Sequence, residues 1–119
     1  MPQIELKGML FLAHHGYHEE ERKTGGKFIV DLLIHTGNLP AEQTDDLNDT
    51  LDYAEVYEVV REEMSVPSDL LEHVGRRIMN RVMATFPEIK SAEINVSKLS
   101  PPLGGPTERV SVRLSSGAL

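Results

Sequence analysis

A lysine on a predicted strand is the residue best suited to acid–base chemistry in this 119-residue sequence. Lys98 falls in phase with Ile94 and Val96, so strand alternation places it on the core face. A lysine there is partly removed from water, which disfavours the ammonium form and lowers its pKa toward a range useful for proton transfer. Pro101 and Pro102 follow, so the chain leaves the strand rigidly just beyond it. The alternative is a lysine that snorkels from the strand end to solvent.

Two further side chains stand at predicted helix starts, where they could bind or protonate a ligand. Glu72 follows Leu70 and Leu71 in the first turn of a helix. A carboxylate there gains from the helix dipole and can accept two parallel N–H bonds from a planar ligand. Tyr53 opens the preceding helix, and its phenol could carry a proton. The alternatives are a solvated first-turn glutamate and a core tyrosine with its hydroxyl at the rim.

The segment from His14 to Glu21 is rich in possible metal ligands. Its three imidazoles and three carboxylates are acceptable zinc ligands. They lack the i, i+4 spacing of a helical zinc motif, and a flexible loop is a poor cage for a metal. We therefore favour a solvated or substrate-handling loop over a metal site, and elemental analysis of the purified protein would distinguish the two.

The spacing of apolar residues predicts the element order ββααββ. Strands are expected over residues 3–13, 28–34, 92–98 and 109–114, with helices from Asp52 to Met64 and from an N-cap at Ser68 to Phe86. The first helix is expected to bury one face, formed by Tyr53, Val56, Tyr57, Val60 and Met64. Neighbouring strands that pair give an α+β fold, in which an antiparallel four-stranded sheet carries two helices on one face. The two sheet edges are unprotected, so self-association is expected.

The first strand contains an interruption. Ile4, Leu6, Leu10 and Leu12 are expected to share one face of it, and Gly8 marks a possible bulge. The last five residues, 115–119, are expected to be loose.

Composition narrows the class of protein. One domain over residues 1–119 is expected from the length. Twelve basic and nineteen acidic residues give a net charge of −7, which disfavours binding to nucleic acid or to a membrane surface. The sequence has no cysteine, which suits a reducing compartment. It also lacks a targeting segment, so we expect a cytoplasmic protein.

Four groups of residues occur together in one order along the chain. They are Leu12-Ala13-His14-His15-Gly16 with Glu21 and Gly25, Thr44-Asp45-Asp46 with Asp49-Thr50-Leu51-Asp52-Tyr53, Leu70-Leu71-Glu72-His73, and Ser97-Lys98 with Pro101-Pro102. In this combination the chain resembles the dihydroneopterin aldolase family over residues 3–114. The resemblance implies a T-fold whose copies close into a β-barrel ring of four, with two rings stacked into an octamer and each site between neighbouring subunits.

The resemblance also implies roles for five residues. Glu72 matches the glutamate that grips the pterin's amino group and ring N–H, and Leu71 contributes to the same pocket. Lys98 matches the catalytic lysine, and Tyr53 the catalytic tyrosine that reaches across from the adjacent chain. Glu21 matches the loop glutamate near the hydroxylated side chain of the substrate. The implied reaction is the retro-aldol cleavage of 7,8-dihydroneopterin in folate biosynthesis, without a cofactor or a metal.

One departure from the family pattern and two alternative functions remain. Gly26 stands where the family usually has glutamine, so the loop is expected to be more mobile. An epimerase of dihydroneopterin or of its triphosphate could use the same residues, because it breaks and remakes the same bond. A non-catalytic oligomer that binds pterins through Glu72 would show occupancy but no turnover.

Overall fold

The computed structural model describes residues 2–117, which form four strands, four helices and one 3-10 turn. The long elements are β1 (Gln3–Ala13), β2 (Gly26–Thr36), α3 (Tyr53–Met64), α4 (Leu71–Thr85), β3 (Ile89–Leu99) and β4 (Arg109–Gly117). The short ones are α1 (Glu19–Thr24), α2 (Ala41–Thr44) and the 3-10 turn Leu47–Asp49. The predicted α+β architecture is confirmed, and α1 is a helix inside what the sequence indicated as a loop.

The four strands form one antiparallel sheet in the order β1-β2-β3-β4. The central strands alternate strictly, and their inward residues are almost fully buried beneath α3 and α4. On β2 and β3 these inward residues are Phe28, Val30, Leu32, Ile34, Ala92, Ile94 and Val96. Because β1 and β4 lie at the two edges, each has one side that no strand within residues 2–117 pairs with.

Gly8 reverses the phase of the first strand. It adopts a left-handed conformation (φ 73°), and the β1–β2 register shifts between Leu6 and Met9. The bulge predicted at this glycine is therefore confirmed, but the face assigned to the residues after it is wrong. Beyond the bulge Met9, Phe11 and Ala13 face the core. Leu10 and Leu12 point outward and are 56% and 79% exposed.

Helix α3 begins where the sequence indicates, but its buried face is rotated. Asp52 is the N-cap, and its side chain accepts the backbone N–H of Ala54 at 2.9 Å. The residues that α3 buries are Val56, Val59, Val60 and Met64. Tyr53 is 65% exposed, so its expected place in the apolar stripe is wrong.

Helix α4 starts later than expected. Its N-cap residue is Leu70, and the prediction of an N-cap at Ser68 is wrong. Ser68 is buried, and it does not cap α4 because its polar groups bond to groups other than the free N–H groups of that helix. The helix ends at Thr85, just before Pro87, as proline predicts.

The C-terminal residues are partly ordered by the sheet. Residues 115–117, expected to be loose, are the last residues of β4, whereas 118 and 119 lie outside the described residues. Within residues 2–117 no helix is long and apolar enough to cross a membrane.

Candidate active site

Lys98 lies on the core face of β3, in phase with Ile94 and Val96, as predicted. Its register partners are Phe28 on β2 and Val110 on β4, and its Nζ lies 6.0 Å from the centroid of the Phe28 ring. The side chain is 17% exposed. Burial lowers the pKa of Lys98 from its ordinary value, because the charged form loses hydration.

Glu21 is the partner of this lysine. It sits on α1, and its Oε2 accepts a hydrogen bond from Nζ of Lys98 in an ion pair. The Glu21 side chain is only 18% exposed. Its other oxygen, Oε1, accepts the backbone N–H of His18 at 3.3 Å and so helps to cap α1. A carboxylate this close favours the charged form of Lys98 and opposes the effect of burial.

The approach of α1 to the loop after β1 depends on Gly16. A Cβ atom on this residue would lie 2.5 Å from Cβ of Glu21, a separation that forces atoms apart. Glycine therefore lets α1 fold back far enough for Glu21 to reach Lys98. The geometry explains physically why a glycine stands between the histidine pair and the acidic run.

Lys98 and Glu21 share the wall of a cavity of about 240 Å³. The strand ends beside it at Leu99, and Ser100 adopts a left-handed conformation (φ 47°) while its N–H donates to the carbonyl of Glu108 at 2.9 Å. Strained backbone of this kind is concentrated at functional sites. The residues that line the cavity are His15, Glu20, Glu21, Thr24, Gly25, Gly26, Lys98, Leu99, Ser100 and Pro102.

The remaining predicted site residues do not line this cavity within one chain. Leu71 and Glu72 occupy the first turn of α4, where Leu71 packs partly against the core and Glu72 is exposed. Tyr53 opens α3 and points to solvent. One chain therefore brings Lys98 and Glu21 together and leaves the other three residues apart from them.

The three imidazoles of the His14–Glu21 segment lie in three different environments. Nδ1 of His14 lies 2.8 Å from the carbonyl of Arg22, His18 is the N-cap of α1, and His15 is buried. Within residues 2–117 no group of three histidine, aspartate or glutamate side chains is arranged to hold a metal ion.

Sequence reasoning missed the contribution of His15 to the site. Its ring lines the cavity, is 2% exposed and packs edge-on against Phe28 with 5.2 Å between the centroids. Burial, followed by the charge of Arg77, lowers its pKa to about 4, while the carbonyl of Met64 acts in the opposite direction. The sequence placed His15 between the apolar end of the first strand and Gly16, within a group of residues that marks the family resemblance, but gave it no role of its own.

Comparison with known proteins agrees with this fold and identifies the family. A profile of the dihydroneopterin aldolase family matches residues 4–115. A dihydroneopterin aldolase of Bacillus subtilis is 34% identical over 116 residues, covering 97% of each chain. One of Staphylococcus epidermidis is 31% identical over 112 residues, covering 93% of each chain.

Solved structures extend the likeness to the fold. The crystal structure of Escherichia coli dihydroneopterin aldolase in complex with neopterin matches with a TM-score of 0.90 at 22% identity. The match covers 98% of this chain and all 100% of that chain. The fold is therefore that of the T-fold class, with four antiparallel strands and helices on one face. Within that class, the chain belongs to the dihydroneopterin aldolase family.

Proposed function

We propose that this chain cleaves 7,8-dihydroneopterin by a retro-aldol reaction, releasing glycolaldehyde and 6-hydroxymethyl-7,8-dihydropterin, as a step of folate biosynthesis. Family membership supports the reaction, because relatives that align over nearly the whole chain are dihydroneopterin aldolases. The observation that carries the assignment of residues is the partly buried pair of Lys98 and Glu21 in one cavity.

The chemistry of the substrate explains what the residues must do. A base removes the proton of the 2′-hydroxyl, the bond between C1′ and C2′ breaks, and glycolaldehyde leaves. The electron pair of that bond flows into the C=N bond at ring position 5, whose nitrogen takes up a proton. The enol-like intermediate is then protonated at C1′ while ring nitrogen 5 gives up its proton, which restores the C=N bond of the product. Because the ring itself accepts the electrons, the protein has to supply positioning and proton transfer.

Lys98 and Glu21 fit the proton transfers on the side-chain half of the substrate. In the proposed mechanism Lys98 moves protons between ring nitrogen 5, a water molecule and the 2′-hydroxyl. Burial lowers its pKa, so the neutral amine needed to accept a proton is formed more readily. Glu21 holds the ammonium form in place and offers an acceptor to the substrate's hydroxyl groups.

Glu72 and Leu71 fit the pterin half. Glu72 is an exposed first-turn carboxylate with no ion pair among residues 2–117, so it is able to accept two N–H bonds from the ring. Such charge-assisted bonds contribute about 1.5–3 kcal/mol net. Leu71 is half-buried beside it and offers apolar contact to the ring. We assign to Tyr53 the proton that reaches C1′ of the intermediate.

The same proposal includes an oligomer with sites between subunits, a ring of four and an octamer of two rings. The cavity beside Lys98 is below the roughly 300–1,000 Å³ typical of complete ligand sites. Tyr53 is exposed, and so are the leucines beyond the bulge on edge strand β1. A neighbouring chain could complete the cavity and cover these apolar side chains. A cytoplasmic location belongs to the same proposal.

The test is to incubate the purified chain with 7,8-dihydroneopterin, with and without a chelator, and to identify the products. Free glycolaldehyde and 6-hydroxymethyl-7,8-dihydropterin in both arms are expected. A 2′-epimer without glycolaldehyde would replace the aldolase assignment with an epimerase. Stoichiometric binding without any product would leave only a pterin-binding protein.

A further inference from the structure

Ser68, in the connector between α3 and α4, is the centre of a cluster of hydrogen bonds next to the site. Its N–H donates to Nδ1 of His15 at 3.0 Å, and its carbonyl accepts the N–H of Gly16 at 2.9 Å. Its hydroxyl lies 2.8 Å from Nδ1 of His73 and accepts from Nη2 of Arg77 at 2.9 Å. We call these five residues the Ser68 junction.

The junction joins the two segments that carry the carboxylates assigned to the substrate. On one side, Gly16 leads directly into the turn and helix that bear Glu21. On the other, Ser68 lies three residues before Leu71, where the first turn of α4 begins, and that turn bears Glu72. Arg22, next to Glu21, reinforces the connection because its Nη1 donates to the carbonyl of Gly16 at 2.9 Å. The relative position of the two carboxylates therefore depends on the bonds at Ser68.

His15 is suited to hold this junction because it stays an acceptor. Its ring is buried, and its low pKa keeps the imidazole neutral with Nδ1 free to accept the N–H of Ser68. The ring also packs against Phe28, which is the register partner of Lys98. His15 thus contacts both the connector and the aromatic side chain beneath the lysine.

We propose that His15 is a positioning residue that sets the separation of the Glu21 and Glu72 carboxylates through Ser68, and thereby selects pterins with a long hydroxylated side chain. The inference rests on the proposed function, in which Glu72 binds the ring and Glu21 faces the side chain. A ligand held at both ends depends on their separation, whereas a ligand held only by its ring does not. The junction therefore determines specificity for side-chain length.

The experiment compares two stable pterins by titration calorimetry. Neopterin carries the three-carbon side chain, and 6-hydroxymethylpterin carries one carbon. His15→Leu removes the acceptor of the Ser68 N–H while keeping an apolar side chain. We expect it to weaken neopterin binding about tenfold, the effect of one lost hydrogen bond that positions a charged group, and 6-hydroxymethylpterin binding less than about threefold. His15→Asn keeps an acceptor near the position of Nδ1 and should restore most of the difference.

Ser68→Ala provides a second variant, which is needed if His15→Leu fails to fold. It removes only the hydroxyl bonds to His73 and Arg77 and keeps the backbone bonds to His15 and Gly16. Because Ser68 does not line the cavity, a loss selective for neopterin in this variant has to pass through the junction. The same selective direction as in His15→Leu is expected.

Equal weakening of both pterins in folded variants, or no change in their ratio, would overturn the positioning role. The wild-type chain separates this result from a failure of the proposed function. If wild type cleaves 7,8-dihydroneopterin and the ratio does not move, only the role of His15 is wrong. If wild type binds neither pterin, the proposed function is wrong, and the positioning role falls with it.

Discussion

Nζ of Lys98 and Oε2 of Glu21 form an ion pair that joins β3 to α1 across 77 positions of the chain. Both side chains are less than one fifth exposed, so the pair is shielded from most of the screening by solvent. In the proposed function, a substrate hydroxyl that enters the cavity meets an ammonium group and a carboxylate already held together, and Lys98 becomes a base when it gives up its proton.

Lys98→Ala should reduce kcat by about 10²–10⁴-fold, because the lysine contributes proton transfer. Pterin binding should remain nearly unchanged, since the proposed main anchor is Glu72. The matched control is Lys90→Ala, which removes an exposed lysine at the other end of the same strand. Single-turnover kinetics with 7,8-dihydroneopterin measures the effect, and near-normal turnover in Lys98→Ala would refute the assigned mechanism.

Glu72→Ala should mainly lower affinity. Two N–H groups of the pterin lose their acceptor, and the loss corresponds to about tenfold to hundredfold weaker binding. Titration calorimetry with neopterin measures it directly. Glu55→Ala removes a glutamate from the first turn of α3 and serves as the control. Unchanged affinity in Glu72→Ala would contradict the anchoring role.

Mixing two inactive variants tests the position of Tyr53. When Tyr53→Phe and Lys98→Ala chains are refolded together at equal ratio, about one interface in four should contain an intact Tyr53 beside an intact Lys98. Rescue requires that the two residues come from different chains, because a site built from one chain would always carry a defect. Each variant refolded alone is the control. No rescue in an oligomer verified by sedimentation would place both residues in the same subunit.

His15 should make the folded state sensitive to acid. Its pKa is about 4 in the folded chain against an ordinary 6.5, so the unfolded chain binds the proton more tightly. The free energy of unfolding is therefore highest above pH 6.5 and falls as the pH drops toward 4, by about 3 kcal/mol in total.

His15→Asn should flatten this dependence, because the variant keeps an acceptor but has no group to titrate. Urea unfolding followed at several pH values between 4 and 7 measures the slope. His14→Asn removes the neighbouring exposed histidine and controls for the loss of an imidazole. A His15→Asn chain with the same slope as wild type would assign the acid sensitivity to other groups.

The sequence predicts those parts of the site that depend on local periodicity. Strand alternation was enough to place Lys98 on the core face, and the position of Glu72 in a first turn followed from helix periodicity. At Gly8 local periodicity was not sufficient. The bulge was predicted correctly, but the face of the strand on which Leu10 and Leu12 lie depends on the register with β2. An extra residue in a strand changes the face of every residue after it.

Features that depend on tertiary contacts were not predictable in the same way. Ser68 is a residue type that often caps helices. Its hydrogen bonds, however, include partners that are 53 and 9 positions away from it in the chain. The burial of His15 arises from the packing of three segments that are distant in sequence. The exposure of Tyr53 has no explanation within one chain, and its role is a prediction about the neighbouring subunit.

The outward leucines after the bulge also affect whether a newly synthesised chain assembles or aggregates. Leu10 and Leu12 lie on edge strand β1, whose outer side pairs with no strand in the described part of the chain. A chain just released from the ribosome would expose an unpaired edge strand with apolar side chains to any other nascent polypeptide. Correct assembly would then compete with aggregation. The outcome would depend on how quickly a second copy arrives, so synthesis rate and local crowding would influence the yield of native protein.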